Sequence, residues 1–308
     1  MNEVHTVFTM ENIMTKEKTI KQLLDQLEKV SGIRFSIENS SLNEEDTLNK
    51  LRDLLIHYSV IDNKDSFLMN YLKGLVPADD AVKAFHRYHI DDSKIYNCYY
   101  MESNKAYSED IVSLIKSVIP DSGATILEMD SNHIAVLAEY SPSNSSEDIK
   151  QSALDLLDLL ETEGYIQFKL AYDEPTNILN LPKAFTNAGM AMSIGNIFYG
   201  RERIFHFNEL GLGRLLYNIP KEECEAFLNN KVNVNALSTI DEEILGSVLT
   251  FFENDLSIAE TARKQFLHRN TLIYRLDKFQ SITGLDVRKF SDATTCLLAL
   301  MLKDYINS

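Results

Sequence analysis

The chain has 308 residues, of which 44% are hydrophobic and 25% are charged, and its formal net charge at pH 7 is −16. This composition is typical of a folded multidomain protein, and the acidic balance excludes a chain that coats nucleic acid along its whole length, because such binding draws on many Lys and Arg contacts to phosphate. No apolar run reaches the roughly 20 residues of a membrane helix, and the polar start MNEVHTVFTMENIMTKEK lacks a signal-peptide core, so a cytoplasmic protein without a membrane partner is expected.

Three cysteines are spread widely along the chain. Cys98, Cys224 and Cys296 form no CxxC pair, and their number is odd. Neither a disulfide framework nor a cysteine-based zinc site is indicated, and buried free thiols are expected.

The first part of the chain carries leucines at helical spacing. Leu23, Leu24 and Leu27 recur at steps of one and three, and similar leucine runs follow, which predicts an N-terminal helical region over residues 1–90. The segment HRYH at 86–89, followed by aspartates, contains residue types that bind metals. A polar helix end is the favoured interpretation, and no metal or cofactor is expected.

The pattern changes at about Ile95 to short strand-like runs between helices. The predicted elements are, in chain order, IYNCYYM, SEDIVSLIKSVI, ATILEM with HIAVLAEY, DIKQSALDLLDLLETEG, YIQFKLAY, PKAFTNAGMAMSIGN and RIFHF. Strand, helix, hairpin, helix, strand is a ferredoxin-like order. The predicted fold class is therefore α+β, with an α/β middle domain between two helical parts.

After the last strand the chain is predicted to be helical again, and two of its helices are separated by a tight turn. Ser257 and Glu260 have the spacing of a capping box at the start of a helix over about 258–266. The apolar positions that are expected to pack in this helix are Ile258, Ala259, Ala262 and Phe266. A second helix over about 269–283 ends before Gly284, a favoured residue just past a helix. Two short helices joined in this way predict an all-α helix-turn-helix domain.

The second of these helices has two faces. Leu272, Leu276 and Phe279 share one face, which is expected to pack. The other face is free to contact DNA and consists of Arg269, Asn270, Thr271, Tyr274, Arg275 and Lys278. Arg can bind a guanine edge with two hydrogen bonds, and Asn can pair with an adenine edge. Residues 256–290 contain seven basic and three acidic side chains, a local charge of +4 that leaves −20 for the rest of the chain.

A specific succession of residues lies in the same region. It consists of His268, Arg269, Asn270, Thr271, then Tyr274, Arg275, Leu276, then Thr283, Gly284 and Leu285. With these residues the chain strongly resembles, over 256–302, the C-terminal DNA-binding domain of the PucR/CdaR family of bacterial transcription regulators. The resemblance implies a DNA-binding role for His268, Arg269, Asn270, Thr271, Tyr274, Arg275 and Lys278.

That family commonly has a middle domain similar to the GGDEF fold, and the element order over 95–207 looks like it, as does NELGLGRLL at 208–216. Diguanylate cyclases need a glycine-rich turn between the hairpin strands, whereas the turn here, 129–133, reads MDSNH. No cyclase activity and no catalytic residue are therefore expected, and Gly211-Leu-Gly213 is too short a motif to predict a dinucleotide site. The expected domains are a helical region at 1–90, a degenerate GGDEF-like domain at 91–235 and the helix-turn-helix domain at 236–308.

The predicted function is sequence-specific regulation of transcription through double-stranded DNA, for which the resemblance implies activation in many cases. A single module makes few phosphate contacts, so a homodimer on adjacent half-sites is expected. Residues 1–90 leave room for a small-molecule effector, but no motif identifies one. Two alternatives stay open: a sensory or scaffolding protein whose C-terminal helices contact proteins, and a signalling protein that binds a cyclic dinucleotide.

Overall fold

The protein is an α+β structure, as the change of hydrophobic pattern along the chain predicts. The computed structural model describes residues 19–29, 34–37, 44–59, 64–118, 124–141, 145–231 and 239–308. These residues fall into two compact units. One unit contains the described residues up to Ser193 together with Glu202–Glu209, and the other contains Ile194–Arg201 together with the described part of Leu210–Ser308.

The described residues of 1–90 form four helices, with non-helical residues at 34–37, 73–77 and 88–90, and the remainder of 1–90 lies outside the described residues. The helices are α1 (19–29), α2 (Glu44–Ser59), α3 (Lys64–Leu72) and α4 (Ala78–Arg87). Leu23 and Leu27 of α1 are buried against Leu48, Leu51 and Leu55 of α2. The leucine spacing seen in the sequence therefore forms a packed face of each helix.

The rest of the first unit is a six-stranded sheet with helices on both faces. Its strands are β1 (Ile95–Ser103), β2 (Thr125–Glu128), β3 (His133–Glu139), β4 (Phe168–Tyr172), β5 (Thr176–Asn177) and β6 (Ile204–His206). Its helices are α5 (Glu109–Val118), α6 (Ser146–Thr162) and α7 (Leu181–Phe198). The pattern did not predict the two-residue strand β5, which is too short to show a period.

Strand β1 lies at the centre of the sheet, whose order is β2-β3-β1-β4-β6. β1 pairs antiparallel with β3 and with β4, β2 pairs antiparallel with β3, and β6 is added parallel to β4. Side chains along β1 alternate between two cores, because successive residues of a strand point to opposite faces. Cys98 packs with helices α3, α4 and α7, whereas Met101 packs with α5 and α6. The N-terminal helices thus share a core with one face of the sheet.

The second unit is helical where it is described. Its helices after α7 are α8 (Gly211–Leu216), α9 (Lys221–Lys231), α10 (Glu242–Glu253), α11 (Ile258–Lys264), α12 (Arg269–Thr283) and α13 (Phe290–Asn307). Leu216, Cys224 and Leu228 are buried in one core with Leu276 and Phe279. Helices α8 and α9 therefore belong to the C-terminal unit, so the units do not coincide with the expected segments 91–235 and 236–308.

All three cysteines are buried and free, as the sequence predicts. Burial raises the pKa of the Cys98 thiol and of the Cys296 thiol to about 12, so both are protonated and unreactive at neutral pH. Among the described helices, none is both long enough and apolar enough to cross a bilayer.

Substitution of Leu276 tests the packing of helix α12. Its side chain is 1% exposed, and we expect Leu276→Ala to lower the free energy of unfolding by about 2–5 kcal/mol, because truncation removes buried contacts and leaves a cavity. Urea denaturation followed by circular dichroism measures the change. Leu215→Ala is the matched control, since Leu215 is 64% exposed in the same unit, and we expect it to shift stability by no more than about 0.5 kcal/mol. Equal stabilities of the two variants would contradict the assigned packing.

Candidate nucleic-acid interface

Helices α11 and α12 are joined by a tight turn. Helix α11 ends at Lys264, and the next hydrogen bonds run from the Phe266 N–H to the Arg263 carbonyl (3.1 Å) and from the Leu267 N–H to the Ala262 carbonyl (2.8 Å). These two bonds form a Schellman motif, with Phe266 in the left-handed conformation at φ 53°. The motif stops α11 and lets the chain begin α12 within a few residues.

The predicted capping box at the start of α11 is half formed. The Ser257 hydroxyl accepts from the Glu260 N–H at 3.4 Å, as predicted. The return bond does not form, because the Ser257 N–H already donates to the Asn254 carbonyl and the Glu260 carboxylate pairs with Arg263.

The packing face predicted for α11 also differs from the one in the structure. Ala262 is buried and Ile258 is partly buried in the core, but Ala259 is exposed and Phe266 is 97% exposed. Phe266 lies beyond the end of the helix, so the helical spacing that grouped it with Ala262 does not apply.

Helix α12 begins and ends where the sequence predicts. His268 is its N-cap, with Nδ1 accepting from the Asn270 N–H at 3.3 Å, which requires an unprotonated Nδ1. Gly284 follows the last helical residue in the left-handed conformation at φ 78° and donates to the Gln280 carbonyl. The face of Leu272, Leu276 and Phe279 is fully buried, which confirms the predicted packing face.

The opposite face of α12 is open at its N-terminal end. The exposed residues there are His268, Arg269, Asn270, Thr271, Tyr274 and Lys278. Tyr274 is 65% exposed. Within the described part of the chain, neither Arg269 nor Lys278 makes an ion pair, so both cations are available to a partner.

Arg275 differs from the other residues predicted for this face. Its guanidinium is held inside the domain, where Nη2 donates to the Glu243 carboxylate of α10 and Nη1 donates to the Ser247 hydroxyl at 3.0 Å. Its side chain is only partly exposed. Helical spacing and the family resemblance placed Arg275 on the free face, whereas the structure directs its charged group to α10.

The sequence pattern also missed a partly buried polar cluster, centred on the buried Ser247, that joins α10 to the helix-turn-helix. Gln265 donates from Nε2 to the Thr250 hydroxyl (2.8 Å) and to the Gly246 carbonyl (3.1 Å). The fully buried Ser247 hydroxyl lies 3.0 Å from Gln265 Oε1 and 2.9 Å from the Glu243 carbonyl, and it accepts from Arg275. Because buried polar groups are costly unless paired, this cluster fixes the position of the turn and of α12 against α10.

A second polar cluster holds the C-terminal half of α12. Arg288 donates to Asp277 (2.8 Å) and Gln280 (2.8 Å) of α12 and to Asp286 (2.6 Å) in the following loop. The hydrogen bonds from Arg288 hold the pKa of the Asp286 carboxyl below its usual range, although burial acts in the opposite direction.

The basic residues of 256–290 divide into two groups. Those paired with carboxylates are Arg263, Lys264, Arg275 and Arg288. Arg269, Lys278 and Lys289 make no ion pair within the described residues. Within 256–290, the cations without an ion pair therefore lie on helix α12 and in the loop that follows it.

The hairpin turn of the sheet unit is closed by its own polar groups. The Asp130 carboxylate accepts from the N–H groups of Asn132 (2.8 Å) and His133 (3.0 Å), and it lies 2.9 Å from His133 Nδ1. The Tyr107 hydroxyl donates to the Asp130 carbonyl at 2.7 Å. The polar residues of this turn are therefore engaged with one another.

Comparison with known proteins identifies the helical domain. Residues 244–302 match the family described as the PucR C-terminal helix-turn-helix domain. This match covers helices α11 and α12 with the turn between them and most of the helices on either side, and it confirms the resemblance carried by the His-Arg-Asn-Thr segment.

Three curated relatives are similar over part of their length. The Purine catabolism regulatory protein of Bacillus subtilis (strain 168) is 25% identical over 54% of this chain and 32% of its own length. The Proline-responsive transcriptional activator PutR of the same organism is 26% identical over 63% of this chain and 49% of its own. The Carbohydrate diacid regulator of Escherichia coli (strain K12) is 25% identical over 52% of this chain and 42% of its own. The matches thus span from a third to a half of each relative.

Removal of the Ser247 hydroxyl tests the buried cluster. We expect Ser247→Ala to destabilise the domain by about 1–3 kcal/mol, because Gln265 and Arg275 each lose a buried partner. Hydrogen exchange of the α12 backbone amides in the full chain measures this locally. Ser281→Ala is the control, since this exposed hydroxyl contacts only the Lys278 carbonyl of its own helix. Unchanged protection of α12 in Ser247→Ala would show that the cluster does not hold the helix.

Proposed function

We propose that this chain, whose residues 244–302 form a PucR-type helix-turn-helix domain, is a sequence-specific DNA-binding regulator of transcription. The observation that carries the proposal is the state of helix α12. One of its faces is fully buried, its position is fixed by paired polar groups, and its N-terminal end presents Arg269 and Asn270 to solvent. In a helix-turn-helix protein this end of the second helix enters the major groove.

The exposed residues have the chemistry that base and phosphate contacts need. Arg269 can donate two hydrogen bonds to guanine O6 and N7, and Asn270 can pair with adenine N6 and N7. Thr271 lies beside them, and His268 and Tyr274 have donors for phosphate or sugar oxygens. Lys278, one turn further along the helix, is assigned to the phosphate backbone. Arg275 is assigned a supporting role, since its guanidinium is engaged with α10.

We further infer that the chain acts as a homodimer in the cytoplasm, with an unidentified small-molecule effector. Three unpaired cations on and beside α12 offer few phosphate contacts, so two modules on adjacent half-sites supply the affinity that one lacks. One relative is named proline-responsive and another is named a carbohydrate diacid regulator, which favours a metabolite as the signal. One relative is named an activator, and we propose activation here.

We infer that the sheet unit is a non-catalytic relative of the GGDEF fold. Its strand order, with β1 at the centre and the β2-β3 hairpin at one edge, supports this. Its hairpin turn lacks glycine and is filled by the mutual hydrogen bonds of Asp130, Asn132 and His133. The unit is therefore proposed to act in sensing or assembly rather than in catalysis.

Two alanine substitutions test whether Arg269 and Asn270 contact bases. We expect Arg269→Ala and Asn270→Ala each to weaken binding to the preferred duplex by about 1–3 kcal/mol, with little change on unrelated duplexes, because each removes a bidentate base contact. Fluorescence anisotropy with a duplex selected by the wild-type chain from random DNA measures the difference. Arg263→Ala removes an exposed Arg that pairs with Glu260 on α11 and serves as the control. A wild-type chain that selects no sequence would point instead to a scaffolding role.

Substitution of Lys278 tests the backbone contact. We expect Lys278→Ala to weaken binding to all duplexes alike and to reduce the slope of log K against log salt by about 1, because one fewer counterion is released. Titrations at several salt concentrations give the slope. Loss confined to one base sequence would show that Lys278 reads bases.

A further inference from the structure

Phe266 combines two unfavourable features at one position. It occupies the residue just past α11 where helices favour glycine, and its φ of 53° is a conformation that side chains with a Cβ rarely adopt. Its side chain is also 97% exposed, so the ring contributes no packing inside the domain. Glycine would close the same Schellman motif without strain, since both hydrogen bonds of the motif are made by backbone atoms.

Another residue of the domain shows how such strain is otherwise offset. Leu256, before helix α11, has a φ of 59°, and its side chain packs against the buried core of the unit. Burial compensates the backbone conformation there. Phe266 has no such compensation within the domain, and uncompensated strain of this kind clusters at sites of ligand contact.

The place of Phe266 in the chain indicates the ligand. It lies three residues before Arg269 and two before the N-cap His268, so its Cα is at most roughly 11 Å from that of Arg269. Arg269 is the first residue of α12, and this end of the helix is the one proposed to enter the major groove. Phenylalanine has no hydrogen-bonding group, and the apolar surfaces available at that point are thymine methyl groups and the deoxyribose rings of the groove wall.

We propose that Phe266 is an apolar DNA-contacting residue, whose ring packs on a thymine methyl or a deoxyribose beside the bases read by Arg269 and Asn270. This inference rests on the proposed DNA-binding function. It adds an apolar contact to the polar contacts proposed for Arg269 and Asn270. It also gives the exposed aromatic ring in the turn a partner when the domain is bound.

Phe266→Gly in the whole chain tests whether the ring contributes to DNA binding or to folding. Because glycine adopts the left-handed conformation without the strain that a Cβ causes, we expect a melting temperature equal to or above that of the wild type. We expect affinity for the duplex selected by the wild-type chain to fall about 10- to 100-fold, as loss of a buried Phe contact predicts. Phe266→Tyr, which keeps the ring, is expected to retain most of the affinity.

Tyr165→Gly is the matched control. Tyr165 is also an aromatic residue in the left-handed conformation, at φ 51°, and it is 80% exposed, but it follows α6 in the other unit. We expect this variant to bind the duplex as the wild type does, which would show that removal of a strained, exposed ring is not by itself harmful to binding.

Duplexes with deoxyuridine in place of single thymidines distinguish the two DNA surfaces. If the ring contacts a thymine methyl, one such replacement weakens binding of the wild type but not of Phe266→Gly. If it contacts deoxyribose, the replacements act equally on both proteins while the glycine variant stays weaker.

Binding of Phe266→Gly within about twofold of the wild type would overturn the proposal, as would a lower melting temperature, which would make the ring structural. A change only in oligomeric state, measured by sedimentation, would assign Phe266 to a protein contact instead and would equally reject the DNA contact. Suppose that the wild type selects a duplex for which the Arg269→Ala/Asn270→Ala double variant loses affinity while Phe266→Gly keeps it. In that case this inference fails and the proposed function stands. If the wild-type chain shows no sequence preference, both this inference and the proposed function are rejected.

Discussion

Hydrogen bonds from both sides of the turn between α11 and α12 meet at one buried hydroxyl of α10, that of Ser247. It accepts from Arg275 of α12 and lies within hydrogen-bond distance of Gln265, which follows α11, so that one residue of α10 contacts side chains on both sides of the turn. The leucine and phenylalanine core supplies most of the burial, but apolar contacts do not fix an orientation by themselves. Directional bonds among buried polar groups do, because a shifted helix would leave them unpaired. These bonds therefore set the orientation of α12 against α10.

The charges of the C-terminal unit are arranged around the same helix. The basic residues Arg263, Lys264 and Arg288 are paired with carboxylates of their own or neighbouring elements. Exposed pairs of this kind add little stability, but they reduce the attraction of their surroundings for phosphate. Of the seven basic residues of 256–290, three make no ion pair with a described residue: Arg269, Lys278 and Lys289. Few unpaired cations near α12 suit a DNA-binding domain that depends on base contacts more than on general attraction to phosphate.

In the first unit, elements that the sequence pattern assigns to two separate regions share one core. Phe67 of α3 and Phe85 of α4 are buried in the same core as Cys98 of β1 and Leu181 of α7. The N-terminal helices thus cover one face of the sheet, and a ligand that moved them would act directly on the residues of β1. This shared core offers a physical route by which a movement of the N-terminal helices would reach the sheet.

Local patterns in the sequence determined most elements and the packing face of α12, because Leu272, Leu276 and Phe279 lie at helical spacing and Gly284 ends the helix. They also located the exposed end of α12 through the succession from His268 to Thr271. Only the tertiary structure showed where the side chains of Arg275 and Phe266 lie: helical spacing had put Arg275 on the free face and Phe266 on the packing face, but Arg275 donates to α10 and Phe266 lies outside the helix. It also decided that α8 and α9 complete the C-terminal core. Periodicity reports which face of an element is apolar, whereas the partner of a polar group and the residues that close a core depend on segments distant in the chain.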